Sequence, residues 1–160
     1  MRTIFFIVWP LLIAAGTAAQ PYPAKPVRLV TAEAGGGLDF ASRLMVPGLS
    51  AALGQQVVVD NRGGAGGAIA IETGMKAPPD GYTLLIYGSS VWLLPLMRDT
   101  PPWDPIRDFT PITLAVTSPN ILVVHPSVPA RNVRELITLA RSKPGTLSYA
   151  SGGSGSTAHL

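Results

Sequence analysis

Apolar positions along this chain alternate between two patterns: short β-rich runs, and stretches in which apolar residues recur at helical spacing. Val27-Arg-Leu-Val30 is the first such run. Gly35-Gly-Gly37 follows it, and then a helical stretch from Asp39 that sets Phe40 and Leu44 on one face. Pro47-Gly48 lies inside that stretch, where proline costs roughly 3 kcal/mol relative to alanine, so a kink or an early break is expected. Val57-Val-Val59 repeats the unit, with Gly63-Gly-Ala-Gly-Gly67 as its loop and Ala68 to Lys76 as its helix, stopped by the turn sequence Pro78-Pro-Asp-Gly81. Thr83 to Tyr87 reads as a third, fully buried strand that ends at Gly88-Ser89-Ser90.

Strands alternating with helices predict a parallel α/β sheet, which gathers the Gly/Ser loops along its carboxyl edge. Ligands of open α/β sheets bind at that edge. Pro101 to Phe109 reads as irregular connecting chain in which Trp103 is a packing anchor. Two more extended runs, Thr110 to Val116 and Asn120 to Val124, flank Ser118-Pro119, a hinge between lobes. Asn132 is then an N-cap with Glu135 three residues on; Val133, Leu136, Ile137 and Ala140 follow at helical spacing, and Gly145 closes the helix. Leu147 to Ala150 is a last strand that runs into Ser151-Gly-Gly-Ser-Gly-Ser156, where a further helix is expected to open as the sequence ends.

Composition changes this picture at the front of the chain. Arg2 precedes the apolar run Ile4 to Ala15, and small residues at Thr17 and Ala19 follow, the layout of a secretory signal cut after Ala19. The run is shorter than the about 20 residues a bilayer requires, and Pro10 interrupts it. The expected organisation is a leader over 1–19, a first lobe over 20–117 and the opening of a second lobe over 118–160, with the mature protein in the periplasm. No cysteine is present, which excludes disulfide scaffolds, thiolate metal sites and a lipidated cysteine. The 17 glycines and 16 prolines belong in loops, because 47% hydrophobic content suffices for a core.

Charge adds little. The computed isoelectric point is about 9.6, but the cations are scattered, with one close group at Arg131, Arg134, Arg141 and Lys143, so nucleic acid is not the expected partner. The loops offer Gly, Ser, Ala and Thr, with Glu33, Asp39, Arg62 and His159 as their ionisable members. They lack both the lysine of a phosphate-binding loop and the pattern G-x-G-x-x-G, so no nucleotide or other cofactor is expected. Two histidines and scattered acids show no metal-ligand spacing. What remains is a set of backbone N–H groups and hydroxyls suited to holding a small carboxylate. Glycine turns also occur for purely steric reasons at strand-to-helix corners. Their number on one expected edge favours a site.

A serine hydrolase with Ser154 or Ser156 activated by His159 is the enzymatic alternative. It lacks G-x-S-x-G and a nearby acid to orient the imidazole. His125, ahead of Pro126, is read as structural.

Several stretches together carry a family resemblance: Tyr22-Pro-Ala-Lys-Pro-Val-Arg-Leu-Val30, Gly35-Gly-Gly-Leu-Asp39, Leu53 to Arg62, Gly64-Ala-Gly-Gly67, Pro79-Asp-Gly-Tyr-Thr-Leu84, Trp103 to Phe109, Pro144-Gly145, and Tyr149-Ala-Ser151 through Gly155-Ser156 to His159-Leu160. In these the chain resembles the tripartite tricarboxylate transporter solute-binding receptors, the Bug family. The resemblance implies a two-lobed, type II periplasmic-binding-protein-like α/β fold with the first lobe mostly present and the second cut short. It also implies a small carboxylate or amino-acid-like solute delivered to membrane permease subunits, and no catalysis. A sensor that presents the solute to a signalling partner is the other non-enzymatic reading. By similarity, Gly36, Gly37 and Asp39, then Ser89 and Ser90, then Ser151, Gly153, Ser154, Gly155 and Ser156 would line the cleft.

The chain departs from the family in three places. Thr31-Ala-Glu-Ala34 replaces the usual Pro-Phe-x-Pro, Gly63 replaces a common proline, and Ser154 stands where asparagine is frequent. An inward Glu33 would repel a ligand carboxylate about 4 Å away by about 4 kcal/mol at an effective dielectric of about 20. Either Glu33 faces solvent, or the ligand offers an ammonium or amide at that end.

Overall fold

A computed structural model describes residues 21–160. The expected signal segment therefore lies outside the described residues. Three strands, β1 (Val27–Thr31), β2 (Val57–Asn61) and β3 (Thr83–Leu85), form one sheet in the order β2-β1-β3, and both pairings are parallel. Val27 stands opposite Val57, and Arg28 opposite both Val58 and Thr83. The strand–loop–helix alternation predicted from the sequence thus yields the parallel sheet, with its glycine and serine loops at the carboxyl ends of the strands.

Helix α1 (Gly37–Leu53) packs Leu38, Met45, Val46, Leu49 and Leu53 onto a core of Val27, Leu29, Val57 and Ile86. A second cluster, Ala68, Ile71, Leu94 and Trp103, is built from α2 (Ala68–Met75), α3 (Ser90–Leu96) and the connecting chain. Leu84 joins the first cluster and its neighbour Leu85 the second, as the two-residue alternation of a strand between two packed faces requires. Trp103 is buried and donates its indole N–H to the Val91 carbonyl at 2.7 Å, so it anchors the irregular stretch as expected.

Several expectations need correction. Pro47 does not break α1, which runs through it to Leu53 and stops at Gly54 in the left-handed region. Core contacts on both sides of the proline, Met45 and Val46 before it and Leu49 and Leu53 after it, outweigh the local penalty. Phe40 and Leu44 do share a face, but it is the solvent face, each being 66% exposed. The run at Thr83 is shorter than expected and only half-buried, because β3 is an edge strand; Ile86 still donates to the Val30 carbonyl at 2.9 Å just past its end. Helix α3 was not expected at all. It is one short element with Pro95 inside it, and Ser89 at its N-cap makes no side-chain capping bond, so the local signals for it are weak.

The runs 110–116, 120–124 and 147–150 are not strands. Their β-branched and aliphatic side chains suit a pleated surface, yet among the described residues no strand lies beside them to take their N–H and C=O groups. Ile112 is 77% and Val123 79% exposed. Helix α4 (Val133–Ser142) forms as the sequence predicts: Asn132 Oδ1 accepts from the Glu135 N–H at 3.0 Å, while Glu135 accepts from the Arg131 N–H at 2.7 Å. It buries none of its residues, Val133 and Ile137 included. Past Ser151 the chain continues in turns, of which the last brings Leu160 N–H to the Ser156 carbonyl at 3.4 Å.

Candidate functional site at the carboxyl edge of the sheet

β1 delivers the chain into the first loop with its last residues, Val30 and Thr31, and Ala32 just beyond them all buried. Glu33 is the first exposed position beyond it. Gly36 caps α1 without any side-chain hydrogen bond, and Gly37 begins the helix.

Asp39, in the first turn, is buried and heavily engaged. Its Oδ2 accepts from the Gly35 N–H at 2.9 Å, and its Oδ1 accepts from Asn61 Nδ2 and from Arg43 Nε, each at 2.9 Å. Asn61 also donates to the Ala32 carbonyl at 3.0 Å, and Arg43 donates to Asn61 Oδ1 at 3.1 Å. The Arg43 guanidinium, the Gly35 amide and the Asn61 amide hold the Asp39 carboxyl down at about 2. Asp39 thus ties the first loop to the end of β2 while the carboxylate stays ionised.

The second loop, Gly63 to Gly67, contains the short 3-10 turn Ala65–Gly67 and leads into α2. Gly66 has φ +65°, and a β-carbon on it would lie 2.6 Å from the Ser154 carbonyl oxygen, so the terminal loop rests directly on its backbone. The Tyr87 hydroxyl, from just beyond β3, covers Gly67. Burial, and after it the negative charge of Glu33, raises the Tyr87 hydroxyl above the usual phenol range. Gly67 and Tyr87 are therefore in direct contact.

The third and fourth loops meet as well. Ser90 Oγ donates to the Gly155 carbonyl at 3.3 Å, and the Thr157 N–H donates to Ser89 Oγ at 3.2 Å. Leu94 packs against Gly155, and Gly153 approaches Gly66. Asn120 Nδ2 reaches Thr157 Oγ1 at 3.2 Å. The sequence-predicted residues Ser89, Ser90, Gly153, Ser154 and Gly155 are thus brought together. Gly36, at the end of the adjacent first loop, and Gly37 and Asp39, in the first turn of α1, are linked to the second loop through Glu33 and Gly63. Ser151 is exposed. Sequence reasoning missed Tyr87, Asn61 and Thr157; the position of Tyr87 at a strand's carboxyl end was the one signal that pointed to any of them.

Ser156 Oγ and His159 Nδ1 are buried without a hydrogen-bond partner. The serine–imidazole contact that a hydrolase needs is therefore not made through Ser156, and Ser154 is exposed with its carbonyl turned to Gly66. His125 bonds locally with Ser127, Nδ1 to Oγ at 2.7 Å. Among the described residues no three His, Cys, Asp or Glu side chains group as metal ligands. A shallow open groove lies elsewhere, along Val124, His125, Pro129, Arg131 and Glu135, between the exposed segment and α4.

Four loops thus meet at one edge of a parallel sheet, and comparison with known proteins gives the family. The profile of the tripartite tricarboxylate transporter family receptors matches residues 41–160.

The chain belongs to that family.

BugT of Bordetella pertussis is 37% identical over 152 residues, covering 92% of this chain and 46% of BugT. A UPF0065 protein from the tcbD–tcbE intergenic region of a Pseudomonas strain is 39% identical over 153 residues, 93% of this chain and 46% of its own length. Among solved structures, R. palustris Rpa4515 with adipate superposes with a TM-score of 0.78 at 38% identity, covering 86% of this chain and 47% of that one. The chain therefore spans about half the length of the relatives it matches. This Bug-type family is one of binding receptors, and the mixed α/β architecture agrees with it. No described helix is long and apolar enough to cross a membrane.

Proposed function

We propose that this Bug-type chain is part of an extracytoplasmic receptor that captures a small carboxylated solute and passes it to membrane permease subunits of a tripartite transporter. Residues 1–19 direct export to the periplasm, residues 20–117 form the first lobe, and residues 118–160 enter the second. The observation that carries this reading is the meeting of Gly66, Ser89, Ser90 and the Gly153–Thr157 loop at the carboxyl edge of the sheet. Hydroxyls, glycine backbone and helix starts are concentrated there, groups that hold a carboxylate through N–H and O–H donors. The unpartnered Ser156 hydroxyl within that loop supports it, because a buried hydroxyl costs free energy until something bonds it. That Rpa4515 was solved with adipate supports a small carboxylate as the class of solute.

The loops Gly36–Asp39, Ser89–Ser90 and Ser151–Ser156 form one wall of the cleft. Asp39 serves there as a brace for the first loop rather than as a group that grips the solute. Titration calorimetry of the full protein encoded by the gene, against a panel of carboxylates and amino acids, tests the reading: saturable binding of at least one carboxylate is expected, and no heat from any of them would reject it.

A further inference from the structure

We infer that Glu33 is a specificity-determining residue that favours solutes carrying a cation at the end opposite the bound carboxylate over dicarboxylates. The inference rests on the receptor reading above and concerns the same cleft.

Glu33 emerges from a buried strand end into the open at the carboxyl edge of the sheet. Its position is fixed from both sides. Gly36 donates its N–H to the Glu33 carbonyl at 3.4 Å, and on the other side a β-carbon at Gly63 would lie 2.8 Å from Glu33 Cβ and 3.2 Å from its Cα. A side chain at 63 would push the first loop away, so glycine there is what lets Glu33 sit against the second loop.

The carboxylate is also uncompensated. Two cations of the adjoining elements are committed elsewhere: Arg43 Nε pairs with Asp39 at 2.9 Å and Arg62 Nε with Asp60 at 2.9 Å. Among the described residues Glu33 forms no ion pair. Its Oε1 stands 3.6 Å from where a β-carbon on Gly36 would be, beside the uncapped start of α1. That start is where a second ligand carboxylate would otherwise be drawn, and the protein's own carboxylate is already there. A solute carboxylate arriving at this end meets like charge, whereas an ammonium meets an unpaired acceptor.

Adipate and ε-aminocaproate separate the cases, being of similar length and differing in whether the far end is a carboxylate or an ammonium. Both are titrated calorimetrically into the full protein encoded by the gene, as wild type, Glu33→Gln and Glu33→Lys. Wild type is expected to bind ε-aminocaproate the more tightly. Glu33→Gln should shift the ratio of the two affinities toward adipate by about tenfold, and Glu33→Lys further, with the shift shrinking as salt is raised. Melting temperature should be unchanged in Glu33→Gln, since an exposed, unpaired carboxylate is removed. Binding of either probe with a ratio that the substitutions do not move would overturn the role of Glu33 and leave the receptor reading intact. Failure of both probes and of every other carboxylate to bind would overturn the two together.

Discussion

The carbonyl oxygen of Ser154 rests on the α-carbon side of Gly66, so near that a β-carbon there would come within 2.6 Å of it. This contact joins the fourth loop to the second and carries much of the convergence at the sheet edge. Gly66→Ala adds that carbon at φ +65°, where an L side chain is also strained. The expected cost is about 1–3 kcal/mol in urea unfolding, together with weaker solute binding in calorimetry as the Gly153–Thr157 loop is displaced. Unchanged binding would show that the terminal loop does not contribute to the cleft.

Asp39 predicts an acid-sensitive loop. Its folded-state carboxyl is held at about 2, below the ordinary 3.8, so it binds its proton less readily in the folded chain than in the unfolded one. The stabilisation it gives is complete above about pH 4 and is lost as pH falls toward 2. Asp104 and Asp108, lowered by the Arg107 and Ile106 amides and by the Arg107 side chain respectively, act in the same direction. In Asp39→Asn the acid limb of the stability curve should become shallower, read as unfolding midpoint against pH. Hydrogen exchange at Gly35 should rise as well, because its amide loses a charged acceptor.

Trp103 offers a test of the second cluster. Trp103→Ala should cost about 3–5 kcal/mol in urea denaturation, from lost burial and the cavity left beside Leu94 and Ile71. Trp103→Phe keeps most of the apolar area but leaves the Val91 carbonyl without its indole donor, so a smaller loss of about 1 kcal/mol is expected.

Export is tested without any reference to folding. Residues 1–19 fused to alkaline phosphatase lacking its own leader should give phosphatase activity outside the cytoplasm of a bacterial host. Replacement of Leu11 and Leu12 by arginine should abolish it by interrupting the apolar run.

How far the sequence could be read depended on whether the deciding contacts were local. The parallel sheet, the glycine loops and the Asn132–Glu135 cap are written in residues a few positions apart, and each appears where the pattern placed it. Pro47 and Phe40 misled because the outcome there depended on which face of α1 met the sheet, a choice made by Met45, Leu49 and Leu53 against distant Val27 and Val57. The extended runs at 110–124 misled differently. β-propensity describes a side chain's suitability for a sheet but supplies no neighbouring strand, and there the backbone stays unpaired. At the site, the loops were legible as loops. Their contacts were not, because Gly66 with Ser154 and Ser90 with Gly155 join positions far apart in the chain.

The middle place of β1 in the sheet bears on how the protein is made. Arg28 must find Val58 on one side and Thr83 on the other, so no strand pair can form while only the first turns of α1 have been synthesised, and the sheet closes only after Leu85. In the export proposed above, a chain threaded through a membrane from its amino end completes this sheet only when its third strand has crossed. Once the third strand docks, the folded bulk on the far side blocks backward slippage, and the order of strands then acts as a one-way catch on passage.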